Sequence, residues 1–180
     1  METWEFSGNL DSPDGILNYD SFVKTVNTVM SEFCRVFTPQ VMHRYPLLID
    51  NATSGSGHTP IITPVLNEFL IIKMHIKDGL CVGQTIYQIA HELTHLVLFS
   101  INGLNKQKAK DDEESLCVAA SLCMLKTHAT GELKEYINYV DNLSNAGYRG
   151  GTKVAMENAY SLDKLKDAIL SFAEKQQTVL

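Results

Sequence analysis

Apolar residues Phe22, Val23, Val26, Val29, Met30, Phe33, Val36 and Phe37 recur at steps of three and four, the spacing that lines one face of a helix. Asp20 or Ser21 is the expected cap and Thr38-Pro39 the expected stop, because a proline disfavours helical geometry in the residue before it. A different pattern follows. Short apolar runs at 45–49, 60–63 and 69–76 are broken by prolines and by Ser54-Gly55-Ser56-Gly57, which predicts a small antiparallel sheet. Ile72, Met74 and Ile76 alternate with Lys73, His75 and Lys77, so this strand is expected to turn one face to the core and to lie at or near an exposed edge.

Helical periodicity returns at 85–99, 112–125, 132–143 and 162–173, separated by a lysine-rich loop at 102–110 and a glycine-rich loop at 145–152. Helix, small sheet, then helices is an α+β order, with the sheet packed on a mainly helical core. The length of 180 residues suits a single domain. Lysine and arginine number 15 against 21 acids, a net charge of −6, which argues against direct binding to nucleic acid or an anionic membrane. No apolar run approaches the roughly 20 residues of a membrane span. Met1-Glu2-Thr3-Trp4-Glu5 carries acids where a secretory signal carries bases. Cys34, Cys81, Cys117 and Cys123 form no Cys-x-x-Cys pair, so free thiols in a cytoplasmic setting are expected.

Within the 85–99 helix, His91-Glu92-Leu93-Thr94-His95 reads H-E-x-x-H. Imidazoles at i and i+4 project from one face about 5 to 6 Å apart at Cβ, close enough to share a tetrahedral Zn²⁺. Glu92 lies about 100° round the helix from His91, where it can take a proton from water at the metal without ligating it. With 6 histidines and 11 glutamates in the chain, chance gives this pattern about 0.01 times per sequence of this length. Ile86, Ile89, Ala90, Leu93, Leu96 and Val97 fill the opposite arc, and Tyr87, Leu98 and Phe99 extend it. The helix is therefore expected to be central, where two histidines and a carboxylate require a reason.

A catalytic zinc commonly has a third protein ligand. The metzincin pattern is excluded, because Leu98 and Ile101 stand where it needs glycine and histidine. Glu113 and Glu114 remain. Glu114 shares a helix face with Val118, Ser121 and Leu125, and Glu113 with Cys117, Ala120 and Met124; both faces are largely apolar, so periodicity does not choose between them.

The H-E-x-x-H helix, together with Asp112-Glu113-Glu114-Ser115-Leu116-Cys117-Val118-Ala119-Ala120-Ser121-Leu122-Cys123, resembles the ImmA/IrrE family of metallopeptidases, a compact branch of the glutamate-zincins. The resemblance covers about residues 20–126, a zincin-like core, and leaves 127–180 as a C-terminal helical part. It implies that Glu114 is the third ligand, that the chain is a cytoplasmic zinc endopeptidase, and that its partner and substrate is a regulatory protein such as a helix-turn-helix repressor controlling stress, mobile-element or antiphage genes. The rival readings are a zinc-containing module that binds or senses a repressor without cleaving it, and a hydrolytic protein toxin.

Three further residues carry candidate chemistry. Tyr148, in the glycine-rich segment with Arg149 and His128 near it, is a candidate donor to a developing oxyanion. Cys117, three residues after Glu114, is a candidate regulatory thiol, and Cys81 before the H-E-x-x-H helix is a second. His43, His58 and His75 lack ligand spacing, and Lys106, Lys108 and Lys110 read as a solvated loop beside Asp111 to Glu114. A strand edge near Lys73 to Lys77 could take an extended substrate.

Overall fold

A computed structural model describes residues 6–7, 16–51, 60–104 and 109–177 of the chain. Met1 to Glu5, the Ser54 to Gly57 cluster, His58, Lys106 and Lys108 lie outside the described residues. Helix α1 spans Tyr19–Phe37 and buries Phe22, Val26, Val29, Met30, Phe33, Val36 and Phe37, the face its periodicity marks. It starts earlier than the expected cap, so Asp20 falls inside its first turn. The N-cap is Asn18, at φ 53°, a left-handed conformation that asparagine tolerates better than most residues. The Asn18 side chain donates instead to Asp78 Oδ1 at 2.9 Å, which fastens the helix start to another segment. At the other end Pro39 opens the short α2 (Pro39–Met42).

Four strands form one mixed sheet: β1 (Phe6–Ser7), β2 (Leu47–Asn51), β3 (Ile61–Val65) and β4 (Phe69–Met74), in the order β1-β2-β4-β3. The wholly antiparallel sheet expected from the sequence is corrected here. Only β3 and β4 are antiparallel, whereas β1 runs parallel to β2 and β2 parallel to β4. The tight turn through Leu66 and Asn67, at φ 53° and 56°, forces antiparallel pairing on the two strands it joins and on no others. Alternation reports which face a side chain takes and carries no information about strand direction. β4 is paired on both sides and lies near an edge, as expected: β1 and β3 are the two edges among the described strands, and β4 is the neighbour of β3. Leu70, Ile72, Met74 and Ile76 are buried and Lys73 is exposed, so the faces are as expected.

Helix α3 (Val82–Asn102) is the centre of the molecule, buried at every position from Thr85 to Ser100. It packs on α1, on the sheet through β3 and β4, and on α4 (Asp111–His128). Gln88 Oε1 accepts from the His75 backbone N–H at 2.8 Å, fixing α3 against the chain leaving β4. Ser121 Oγ lies 2.8 Å from the Tyr87 carbonyl and fixes α3 against α4. α5 (Leu133–Asp141), α6 (Ala146–Glu157) and α7 (Leu162–Gln177) complete the α+β fold. α6 packs along α4, and α7 contacts α1, α3 and α4. No described helix is long and apolar enough to cross a membrane.

The segment expected to be a glycine-rich loop is therefore mostly helix. Asn145 caps α6, accepting from the Gly147 N–H at 2.8 Å. The glycines let α6 approach α4 closely. A Cβ on Gly151 would lie 2.4 Å from Val118 Cγ1, and one on Gly147 would lie 2.9 Å from the Asp111 Cα. Gly151→Ala is expected to cost ~2 kcal/mol, because overpacking against Val118 outweighs alanine's better helix propensity. Thermal melts check this, with a fall of about 4 to 8 °C for a chain of this size. Gly131→Ala, which meets nothing within 4 Å, is the control, and its effect stays within about 0.5 kcal/mol.

Candidate metal centre

His91 and His95 project from the same face of α3 with ring centroids 5.1 Å apart, and both are buried. The first turn of α4 arrives opposite them carrying Asp111, Asp112, Glu113 and Glu114, acids that the positive end of a helix favours. Glu114 Oε2 lies 3.1 Å from His91 Nε2 and 3.8 Å from His95 Nε2. These spacings bracket the separation of about 3.3 Å expected between two ligands held at about 2.0 to 2.1 Å by a tetrahedral ion. Burial alone would raise the Glu114 carboxyl, but its contacts with the two imidazoles hold it well below the usual carboxylate range.

Glu113 goes elsewhere. Its Oε1 lies 2.7 Å from His95 Nδ1. Burial lowers the His95 imidazole, but Cys117, Glu113 and Glu114 raise it well above its ordinary value, so Nδ1 donates to Glu113 and Nε2, on the side facing Glu114, is the nitrogen that must give up its proton to take a metal. Adjacent residues of one helix turn thus reach opposite nitrogens of one ring.

Cys117 is fully buried one turn further along α4, and His91, His95 and Cys117 each offer a ligand atom within 4.8 Å of the others. They form a buried group able to hold a metal ion. Burial pushes the Cys117 thiol up to about 11, against the pull of His95, so the metal-free thiol is protonated at neutral pH. Cys81 is not brought to the site: it is the exposed cap residue of α3, ten residues from His91 and so about 15 Å along the axis.

Glu92 is 2% exposed. Burial raises its carboxyl, with His91 and His95 pulling the other way and the Ile62 backbone of β3 supplying a hydrogen bond. A carboxyl poised in this way can both accept and return a proton. Tyr148 reaches the centre from α6, its ring stacked on His91 at 5.5 Å and 12°. Burial, followed by the charges of Glu114 and Glu92, raises its phenol and keeps it protonated as a donor. Arg149 and His128 do not accompany it: Arg149 donates to the carbonyls of Leu143 and Ser144 at 2.6 and 2.9 Å, and His128 ends α4, about 21 Å along the helix from Glu114.

A cavity of about 660 Å³ opens beside His91 and Tyr148, walled by Tyr87, Tyr136 and Tyr139. Sequence reasoning missed this cavity and the contact of Glu113 with His95. One signal was present, since Tyr87 precedes His91 by four residues and shares its helix face. Compared with protein-family models, curated proteins and solved structures, the chain gives no match.

Proposed function

We propose that this chain is a zinc-dependent endopeptidase, with His91, His95 and Glu114 holding the metal and Glu92 acting as general base. The observation that carries this reading is the convergence of one Glu114 oxygen on both histidine Nε2 atoms. Two imidazoles and a carboxylate suit zinc. When bound, zinc supplies Lewis-acid polarisation of the scissile carbonyl and makes water acidic enough to give up a proton near neutral pH. Glu92 takes that proton as the water oxygen bonds to the carbonyl carbon, then returns it to the leaving nitrogen as the C–N bond breaks. Glu113 holds the His95 ring in its ligating tautomer. The edge strand β3, whose Ile62 backbone touches Glu92, receives an extended substrate by strand addition.

The substrate class follows from the resemblance to ImmA/IrrE peptidases together with the net charge of −6, which directs any DNA-related role toward a protein that itself binds DNA. The substrate is a cytoplasmic regulatory protein such as a helix-turn-helix repressor. A non-cleaving module has no use for a buried Glu92 beside the histidines. Incubating the zinc-loaded protein with regulators encoded beside it, and mapping new termini by mass spectrometry, tests this reading. Cleavage at a discrete bond supports it, and intact regulators together with an intact random peptide pool contradict it.

Tyr148 then has a role as donor to the tetrahedral oxyanion. Tyr148→Phe is expected to lower kcat by ~10²-fold with little change in KM and unchanged zinc content. A loss below about tenfold removes Tyr148 from the mechanism.

A further inference from the structure

The cavity beside His91 has a chemistry of its own. Tyr87 and Tyr136 stack at 5.2 Å and 25°, and Tyr139 stands edge-on to Tyr87 at 6.3 Å. Tyr87 is only 8% exposed, yet its hydroxyl has no hydrogen-bond partner among the described residues. That hydroxyl is itself out of reach of solvent, so it is the Tyr87 ring, with those of Tyr136 and Tyr139, that walls the open cavity. Glu135 is the one lining side chain among the described residues with a formal charge at neutral pH. Burial, then the charges of Glu132 and Glu135, push the Tyr136 phenol up, so it stays neutral beside Glu135.

Ring faces and a carboxylate together suit a cation on an aliphatic stem. Its planar guanidinium lets arginine stack on tyrosine and donate several hydrogen bonds at once, which lysine cannot match. An acidic side chain would be repelled by Glu135, and a purely aliphatic one would leave the ring faces and Glu135 without a cation.

We infer that this cavity is the specificity pocket for a basic side chain, arginine foremost, next to the scissile bond, with Tyr87, Tyr136, Tyr139 and Glu135 as its recognition residues. The inference rests on the endopeptidase reading for the place of that side chain in a substrate, and on the cavity alone for its chemistry. His91 is shared between the cavity wall and the metal centre, so a side chain seated there belongs to a residue flanking the bond under attack.

Two measurements on the zinc-loaded protein test it. In the first, Nα-acetyl-arginine methylamide and its norleucine counterpart are titrated into the protein and followed by NMR of the tyrosine rings. The arginine compound is expected to bind about tenfold more tightly or better, shifting Tyr87, Tyr136 and Tyr139. Glu135→Gln and Tyr139→Ala should each reduce that preference several-fold, and Glu135→Lys should abolish it. Equal binding of the two compounds, or tighter binding of norleucine, overturns the inference. In the second, matched peptides with arginine, norleucine or glutamate at successive positions are assayed for cleavage. A kcat/KM preference of about tenfold or more for arginine beside the cleaved bond supports the pocket. Cleavage without that preference overturns the pocket and leaves the peptidase standing. Arginine-selective binding without cleavage of any peptide supports the pocket's chemistry and overturns the peptidase reading.

Discussion

Glu92→Gln is expected to lower kcat/KM by ~10³-fold or more while the protein stays folded and keeps its metal. Glutamine preserves the shape of the side chain, and its carbonyl oxygen can still accept the hydrogen bond from the Ile62 backbone. Glutamine cannot take a proton from water, so the base is lost. Metal content should not change, because Glu92 is not among the proposed ligands His91, His95 and Glu114. Thermal stability supplies the control. Glu92 is 2% exposed and its charged form is disfavoured by burial, so a neutral isostere at that position should melt no lower than the native protein. A loss of activity accompanied by a large fall in melting temperature would point to packing instead, and unchanged activity would remove Glu92 from the chemistry.

The second large effect concerns the metal and its third ligand. An ion that binds only the folded chain stabilises it by ~4 kcal/mol when present at a thousandfold excess over its Kd. For a chain of this length, chelation is then expected to lower the melting temperature by about 8 to 16 °C. The folded core should survive chelation, since Phe22, Phe33, Ile72, Ile89 and Leu93 are fully buried independently of the centre. His95→Ala should lack metal as purified and melt without responding to chelator. The choice of third ligand is read from three further variants. Glu114→Gln is expected to weaken zinc binding by more than about 100-fold, whereas Cys117→Ser leaves it within a fewfold; Glu113→Gln, which disturbs only the orientation of His95, costs about 10- to 100-fold. Zinc lost from Cys117→Ser and retained by Glu114→Gln would exchange the two roles. Competition with a chromogenic chelator measures all three.

Much of this was legible in the sequence, and the remainder was not for identifiable physical reasons. α1 is amphipathic, so its residues mark both its extent and its buried face. α3 is buried all round, and that made H-E-x-x-H conspicuous. α4 is also buried at every position from Ser115 to Leu125, so its periodicity could not orient Glu113 and Glu114; the choice depends on which nitrogen of His95 each one meets. The glycines of 145–152 read as a loop because their reason lies about thirty residues away, in Ser115 and Val118 of α4. The alternation in β4 marked its faces but could not tell an edge strand from the neighbour of one, since a paired interior strand alternates as an edge strand does. The tyrosine cavity gathers residues from α3, α5 and α6, which only the tertiary fold brings together.

The most direct test of the central claim is a cleavage assay on the native protein and Glu92→Gln, each carrying one zinc per chain by elemental analysis, with a candidate repressor as substrate and new termini mapped by mass spectrometry. The proposed mechanism predicts a discrete new terminus with the native protein and none with Glu92→Gln. Equal cleavage by both proteins, or zinc retained by neither, would contradict it.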